Sequence, residues 1–124
     1  MEPKEVPQDV TALRTLREMA ERSVKEFADR TALTLREGAS YTYGQVGKSI
    51  RGLQAELGTK GVKPGSRVAL LGENKPEWGI AYLAITGMGA VVVPILPDFS
   101  GKEISSILEH SGSAGLIVSE TLER

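Results

Sequence analysis

The chain contains no cysteine and a single histidine, His110, and its aromatic residues are one Trp, three Tyr and two Phe among 124 residues. The lack of cysteine excludes a disulfide framework, a thiol nucleophile and any cysteine metal site. A single histidine cannot form a metal centre that needs two or more histidine ligands. Residues 1–7 (MEPKEVP) also lack the apolar segment of a signal peptide.

Neither sign of charge dominates the sequence. Fifteen Lys and Arg face sixteen Asp and Glu, and the formal net charge is -1. No basic cluster predicts a nucleic-acid surface or an anchor to anionic lipid. The apolar content of 40% and charged content of 25% are those of an ordinary globular domain. We therefore expect a cytoplasmic protein that does not bind nucleic acid.

One stretch of 20 uncharged residues, 78–97, has about the length that spans a bilayer. Three glycines and two prolines interrupt it, and its second half is a β-branched cluster. A buried helix followed by a buried strand explains this pattern better than a membrane span.

The first half of the chain predicts a loose arm, a helix and a hairpin. Residues 1–10 carry two prolines and four charges and are expected to form a flexible arm, whereas 11–124 form one domain. Helical spacing predicts about four turns with these residues inward: Leu13, Leu16, Met19 or Ala20, Val24 and Phe27. Residues 32–35 and 40–42 then read as two strands joined by a turn at 37–39.

The second half predicts alternating helices and strands. Thr42 with Gln45, and Ser100 with Glu103, have capping-box spacing and predict two helix starts. Residues 63–66 (KPGS) have proline second and glycine third, which predicts a type II turn. Pro76 suits the first position of a further helix that runs to about Gly87. Apolar runs at 68–71, 91–95 and 116–118 predict buried strands. The expected fold is α/β, a small parallel sheet of at least three strands with flanking helices in the order βαβαβ.

Several residues invite a functional interpretation beside a structural one. Residues 87–89 (GMG) resemble part of a nucleotide loop, but a helix precedes them and a strand follows, so a helix C-cap is favoured. Asn74 follows a predicted strand at the edge where α/β folds bind ligands, although an Asx turn or N-cap is favoured there. His110 has no acid or nucleophile near it in sequence, which favours a position at the end of its helix.

Three further residues lie around Asn74. Glu73 and Glu77 could form a carboxylate pair, but a solvated Glu73 and a Glu77 in the first helical turn are favoured. Trp78 is expected to anchor a core or an interface.

Five motifs, spread over residues 13–120 in the same order, resemble those of the adenylate-forming (AMP-binding) acyl-CoA synthetases. They are ADRTAL at 28–33, YTYGQV at 41–46, GVKPGSRVA at 61–69, GMGAVVVPILP at 87–97, and the helix and strand of 100–119. ENKPEW at 73–78, together with VVVPI at 91–95, is most similar to long-chain fatty acid–CoA ligases. One departure is TGMG at 86–89, where many members have Lys-Ala-Gly before the strand.

The resemblance implies a ligase that uses ATP, magnesium and coenzyme A to convert a carboxylic acid first into an acyl-adenylate and then into a thioester. It implies that this chain is the N-terminal part of the synthetase, an inactive scaffold that packs against the remainder of its own adenylation domain. The family's catalytic, nucleotide-binding and metal-binding motifs correspond to no residue of this chain. A single loop, with Asp98 and Phe99, is expected to face the thiol side of the complete site.

Three alternatives remain open at this stage. The chain could come from a peptide-synthetase adenylation domain or an aryl-CoA ligase, because the acid pocket would lie outside it. It could also be a stand-alone α/β binding module without catalysis. A scaffold piece is expected to self-associate or to expose an apolar patch, whereas a complete module should have a polar surface. The parent could also sit peripherally on a membrane.

Overall fold

A computed structural model describes residues 15–35 and 38–118, and these residues form five strands and four helices. The elements are α1 (Leu16–Glu26), β1 (Thr31–Thr34), β2 (Ser40–Thr42), α2 (Tyr43–Thr59), β3 (Arg67–Leu71), α3 (Pro76–Gly87), β4 (Val91–Ile95), α4 (Gly101–Ser111) and β5 (Gly115–Val118). The predicted arm at 1–10 and Leu13 lie outside the described residues.

The three later strands form a parallel sheet in the order β4-β3-β5. Leu71 is in register with Ile95 on one side and with Val118 on the other, so all three strands end at the same edge. The predicted α/β class and parallel sheet are confirmed. β3 is the central strand, and four of its five residues are buried.

The sheet is covered on both faces, which makes three layers. Val68 and Leu70 of β3 point to one face, where they pack with Ala81 and Ile85 of α3 and Leu57 of α2. Alternate residues of a strand point to opposite faces. Ala69 and Leu71 accordingly pack on the other face with Ile95, against which α4 places half-buried side chains, namely Ile104, Ile107 and Leu108.

Local signals fix where the helices begin and the chain turns. Both predicted capping boxes are present, at Thr42 with Gln45 and at Ser100 with Glu103. Each supplies partners to backbone N–H groups that the first helical turn leaves unpaired. Before β3, the Ser66 N–H donates to the Lys63 carbonyl at 2.9 Å. Gly65 adopts φ +87°, as the third residue of the predicted type II turn requires.

The first helix is shorter than predicted. It has 11 residues, about three turns, because Thr15 caps it by accepting a hydrogen bond from the Glu18 N–H. Leu16, predicted to face inward, is 41% exposed. Of the two alternatives at the next inward position, Met19 is 46% exposed and Ala20 is half-buried. The inward face is formed farther along, where Val24 contacts α2 at Gly47.

The hairpin is antiparallel, with Leu33 opposite Tyr41 and Thr34 opposite Ser40. β1 begins one residue earlier than predicted and β2 has the predicted bounds. Half-buried Leu33 and Tyr41 pack against a cluster of α2 and α3 residues that includes Ile80 and Ala84. The hairpin is thereby held beside the N-terminal half of α3.

Candidate functional site

A cleft of about 540 Å³ opens at the edge where β3 and β5 end. Leu70, Ile117 and Ala81 form part of its apolar wall on the α3 side of the sheet, and Gly72 follows directly after β3. Ligands of open α/β sheets bind at this edge. The cleft is lined by Leu35, Leu70, Leu71, Gly72, Glu73, Lys75, Glu77, Trp78, Ala81, Ile117 and Val118.

Two of the three charged residues that line the cleft, Glu73 and Lys75, belong to the segment between β3 and α3. The Lys75 ammonium lies 3.4 Å from a Glu73 carboxylate oxygen, with the two side chains 38% and 39% exposed. Pairs as exposed as this one contribute about 0–1 kcal/mol to stability. Glu73, predicted to be solvated, is instead half-buried and paired with Lys75.

Glu77 occupies the first turn of α3, as predicted, where its negative charge complements the helix dipole. It also accepts a hydrogen bond at 3.2 Å from the Tyr41 hydroxyl, which ties the hairpin to the helix start. This hydrogen bond, the nearby carboxylate charge and desolvation raise the pKa of Tyr41 above its ordinary value. The contact joins residues 36 positions apart, and no local pattern could have predicted it.

Trp78 lies between the cleft and the core. Its ring stacks on Tyr82 with centroids 5.3 Å apart and planes at 27°, and it packs against the cluster around Ile85. The prediction of a core anchor is confirmed, and one edge of the side chain also lines the cleft.

The prediction of an Asx turn or N-cap at Asn74 is wrong. The capping position of α3 is Lys75, which makes no side-chain cap hydrogen bond. Pro76 takes the first helical position, so the residue directly before it becomes the cap. Asn74 is exposed, and among the described residues its side chain has no hydrogen-bond partner.

Asp98 and Phe99 follow β4 at the same edge of the sheet but do not line the cleft. Asp98 is exposed, whereas Phe99 is half-buried and packs under α4 against the cluster around Ile95. The structure thus separates the two residues of this loop, one towards solvent and one into the core.

The remaining candidate residues occupy the ends of helices. Gly87 ends α3, and Gly89 adopts φ +78° and accepts a hydrogen bond at 2.8 Å from the Gly65 N–H, which confirms the helix-end interpretation. His110 is exposed in the last turn of α4.

Residues 15–35 and 38–118 contain neither a cluster of metal ligands nor a helix suited to span a membrane. No group of three or more His, Asp or Glu side chains in these ranges is placed to hold a metal ion. No helix in the same ranges is both long and apolar enough to cross a membrane.

The fold agrees with comparisons to known proteins. A profile described as "AMP-binding enzyme" matches residues 20–124. The chain belongs to this family, the adenylate-forming ligases.

Relatives come from more than one branch of the family. The long-chain-fatty-acid–CoA ligase of Thermus thermophilus is 41% identical over 81 residues, which cover 65% of this chain and 15% of the ligase. Surfactin synthase subunit 2 of Bacillus subtilis is 34% identical over 107 residues, covering 86% of this chain and 3% of the synthase.

Among solved structures, the N-terminal subdomain of NpsA from Klebsiella oxytoca superposes with a TM-score of 0.80 at 28% identity. The match covers 87% of this chain and 28% of that one. The chain thus spans a minor part of each relative's length.

Proposed function

We propose that this chain forms the N-terminal part of an adenylation domain in a ligase that activates a long-chain fatty acid as its coenzyme A thioester. In the first step a carboxylate oxygen attacks the α-phosphorus of ATP, and pyrophosphate leaves. In the second the thiol of coenzyme A attacks the acyl carbon, and AMP leaves. The observation that carries the proposal is the family match across residues 20–124, joined to a fold shared with an adenylation subdomain.

The role proposed for this part of the ligase is that of a scaffold. Because the motifs that resemble the family in this chain do not include its catalytic or nucleotide-binding ones, we assign no step of the reaction to these side chains. At the cleft, Lys75 already forms an ion pair with Glu73, and Glu77 accepts a hydrogen bond from the Tyr41 hydroxyl. What the chain supplies is a rigid central strand, β3, held on both faces by helices.

The proposed partner of this scaffold is the rest of its own adenylation domain. Within the described residues the outer edge of β5 has no neighbouring strand. Leu116 on that strand is 42% exposed, and the apolar cleft lies alongside it. Apolar groups left open at one side of a sheet are typical of a surface that another element covers. The division into an arm at 1–10 and a subdomain at 11–124 stays a prediction, as does the cytoplasmic location.

The choice of a long-chain fatty acid as substrate rests on the ENKPEW and VVVPI motifs and on the similarity to the Thermus ligase. The second candidate is a peptide-synthetase adenylation domain, favoured by the similarity to surfactin synthase subunit 2. Pyrophosphate exchange by the parent enzyme with palmitate, benzoate and amino acids in turn separates these substrate classes. Exchange with amino acids and none with palmitate would replace the fatty acid assignment.

A chimera tests the scaffold role directly. Residues 20–124 would replace the matching segment of the Thermus thermophilus ligase, and ATP–pyrophosphate exchange would be measured with palmitate. We expect exchange in the chimera and none in the isolated 124-residue chain. The control chimera carries Ile85→Asp, which places a charge at a fully buried position and should abolish folding and exchange together. A folded but inactive chimera, or turnover by the isolated chain, would refute the scaffold role.

We further propose that the loop carrying Asp98 faces the thiol side of the complete site. Its place at the carboxyl edge beside β3 and the exposure of Asp98 support this. Asp98→Ala in the parent enzyme should raise the KM for coenzyme A and leave adenylate formation unchanged. Lys102→Ala, also exposed and in the next helix, is the matched control. An unchanged coenzyme A dependence in Asp98→Ala would remove Asp98 from the site.

A further inference from the structure

A groove of about 340 Å³ lies between α1, α2 and the C-terminal half of α3. It shares no lining residue with the cleft at the sheet edge. Its floor is apolar and consists of buried Ile50 with three half-buried side chains, namely Ala20, Val24 and Leu83. Since three of these four side chains keep part of their surface exposed, the floor is open to a further apolar group.

The rim of this groove is positively charged. Arg17 and Glu21 form an ion pair at 2.9 Å, so their charges offset each other. Lys25 and Arg51 are exposed, and neither has an ion-pair or hydrogen-bond partner among the described residues. The Arg51 guanidinium lies beside the floor, because a Cβ placed on Gly47 would be 3.4 Å from its Nη1. Two cations without an opposite charge therefore flank an apolar floor.

Residues 5–10 (EVPQDV) have the complementary character. They contain two acids, Glu5 and Asp9, and no base. In an extended segment alternate side chains point to opposite faces, so Val6 and Val10 would share one face and the two acids the other. The proline of the segment disfavours a helical conformation at the residue before it and favours an extended one. Such a segment can bury both valines on an apolar floor and keep both acids at a charged rim.

We propose that residues 5–10 of the same chain bind along this groove. The two valines would lie on its floor, and Glu5 and Asp9 would pair with Lys25 and Arg51. This occupant satisfies both properties of the groove, because it brings apolar side chains to the floor and two negative charges to the two cations. The flexible arm predicted from the sequence would then be fixed in part by its own domain.

The length of the connecting chain allows this binding. Residues 11–14 join the segment to Thr15, which caps α1 two residues before the groove lining begins at Arg17. The lining on α1 extends from Arg17 to Lys25, a rise of about 12 Å, and six extended residues span about 20 Å. A tether this short gives the segment an effective concentration on the order of mM at the groove, so that weak apolar contacts and exposed ion pairs can hold it.

Paramagnetic broadening of amide signals in the whole 124-residue chain tests the proposal. The chain has no cysteine, so Lys4→Cys provides a single attachment site for a nitroxide directly before the segment. We expect the nitroxide to remove the signals of residues 20–25 and 47–51 and to leave those of α4 intact. Reduction of the nitroxide with ascorbate should restore the lost signals. This readout does not involve ligase activity, so its failure would leave the proposed function unchanged.

Charge reversal distinguishes a bound segment from a tether that moves past the groove without binding. Lys25→Glu together with Arg51→Glu should restore the lost signals while the nitroxide is still active. Adding Glu5→Lys and Asp9→Lys to this background should remove them again, because opposite charges then face each other once more. Lys102→Glu, at an exposed position of α4, is the matched control and should leave the signal loss unchanged.

The arm variants alone give an independent test. Glu5→Lys with Asp9→Lys changes no described residue, so it should restore the lost signals even if the groove variants failed to fold. In every folded variant the amide signals of β3 should keep their wild-type positions. Signals of residues 47–51 that stay intact in the labelled chain would overturn the proposal, and so would a signal loss that survives reversal of the arm charges.

A mixed sample tests whether a second copy fills the groove instead. It combines isotope-labelled chains without nitroxide and nitroxide-labelled chains without isotope. We expect the signals of residues 47–51 to stay intact in this mixture, because each groove is filled by its own chain. Signal loss in the mixture would show that the arm of another copy binds there, which would overturn the assignment to the same chain.

Discussion

Two glycines of α2 should respond to alanine with opposite signs. Gly47 is buried against α1, and a Cβ placed on it would lie 2.5 Å from Cγ1 and 3.1 Å from Cγ2 of Val24. A Cβ placed on Gly52, in the same helix, would have no neighbouring atom within 4 Å. The pair thus separates the backbone effect of alanine from its packing effect.

The magnitudes follow from two opposing contributions. Alanine in place of glycine inside a helix stabilises by about 1 kcal/mol. Gly52→Ala should show this gain alone. At Gly47 the new methyl would overlap a β-branched side chain with little χ1 freedom, and overpacking of this kind costs about 1–3 kcal/mol. Because carbon atoms pack at about 3.5–4.0 Å, a 2.5 Å approach places the cost near the upper end. The net loss for Gly47→Ala should be about 1–2 kcal/mol.

Urea unfolding followed by circular dichroism measures both variants. In a domain of this size each kcal/mol corresponds to roughly 4 °C in melting temperature. A third variant, Val24→Ala, removes the obstacle, and in that background Gly47→Ala should stabilise by about 1 kcal/mol. If Gly47→Ala stabilised the otherwise unchanged chain as much as Gly52→Ala does, the packing of α1 on α2 would be refuted.

Three further predictions concern the core, a helix cap and the hairpin contact. Ile85 is 0% exposed, and Ile85→Ala should lower the free energy of unfolding, measured by urea titration, by about 2–5 kcal/mol. A loss below about 1 kcal/mol would contradict the central place of Ile85 in the core. Ser100→Ala should lower the free energy of unfolding by about 1 kcal/mol, because it removes the cap on α4. Ser105→Ala, in the exposed middle of that helix, should leave the free energy of unfolding unchanged, and equal effects of the two variants would argue against the cap. The Tyr41 hydroxyl donates a hydrogen bond to the Glu77 carboxylate, and the pKa of Tyr41 is raised in the folded state. The stability that this hydrogen bond contributes is therefore complete below the unfolded-state pKa of about 10 and is lost as the pH rises beyond it. The stability difference between the wild type and Tyr41→Phe should therefore be constant from pH 7 to about 9 and shrink above about 10, and a difference independent of pH would exclude the hydrogen bond.

The sequence predicted the fold best where the signal is local. The capping box at Ser100 needs only residues within one helical turn, and Gly65 needs only the geometry of its own turn, so both were found in advance. The three strands of the parallel sheet were also predicted within one residue of their bounds, because each is a continuous apolar run. Only the central strand, β3, is buried as predicted, whereas β4 and β5 lie at the edges of the sheet and are largely half-buried or exposed.

Where the sequence failed, a neighbour distant in sequence or an overlooked cap was responsible. Thr15 and Glu18 have the spacing of a helix start, and this signal would have moved the beginning of α1 to its observed place. The exposure of Met19 depends on what the rest of the fold leaves uncovered, which helical periodicity cannot reveal. The contact of Tyr41 with Glu77 and the cleft beside it arise only when the hairpin packs on α3.

The claim that this chain is the scaffold of an adenylate-forming ligase is tested most directly by reading the coding sequence beyond the codon for Arg124 in the source genome. Our account predicts an open frame that continues into a Ser/Thr/Gly-rich loop ending in lysine, followed by the rest of an adenylation domain. A stop codon directly after Arg124 would contradict the account and favour a stand-alone binding module.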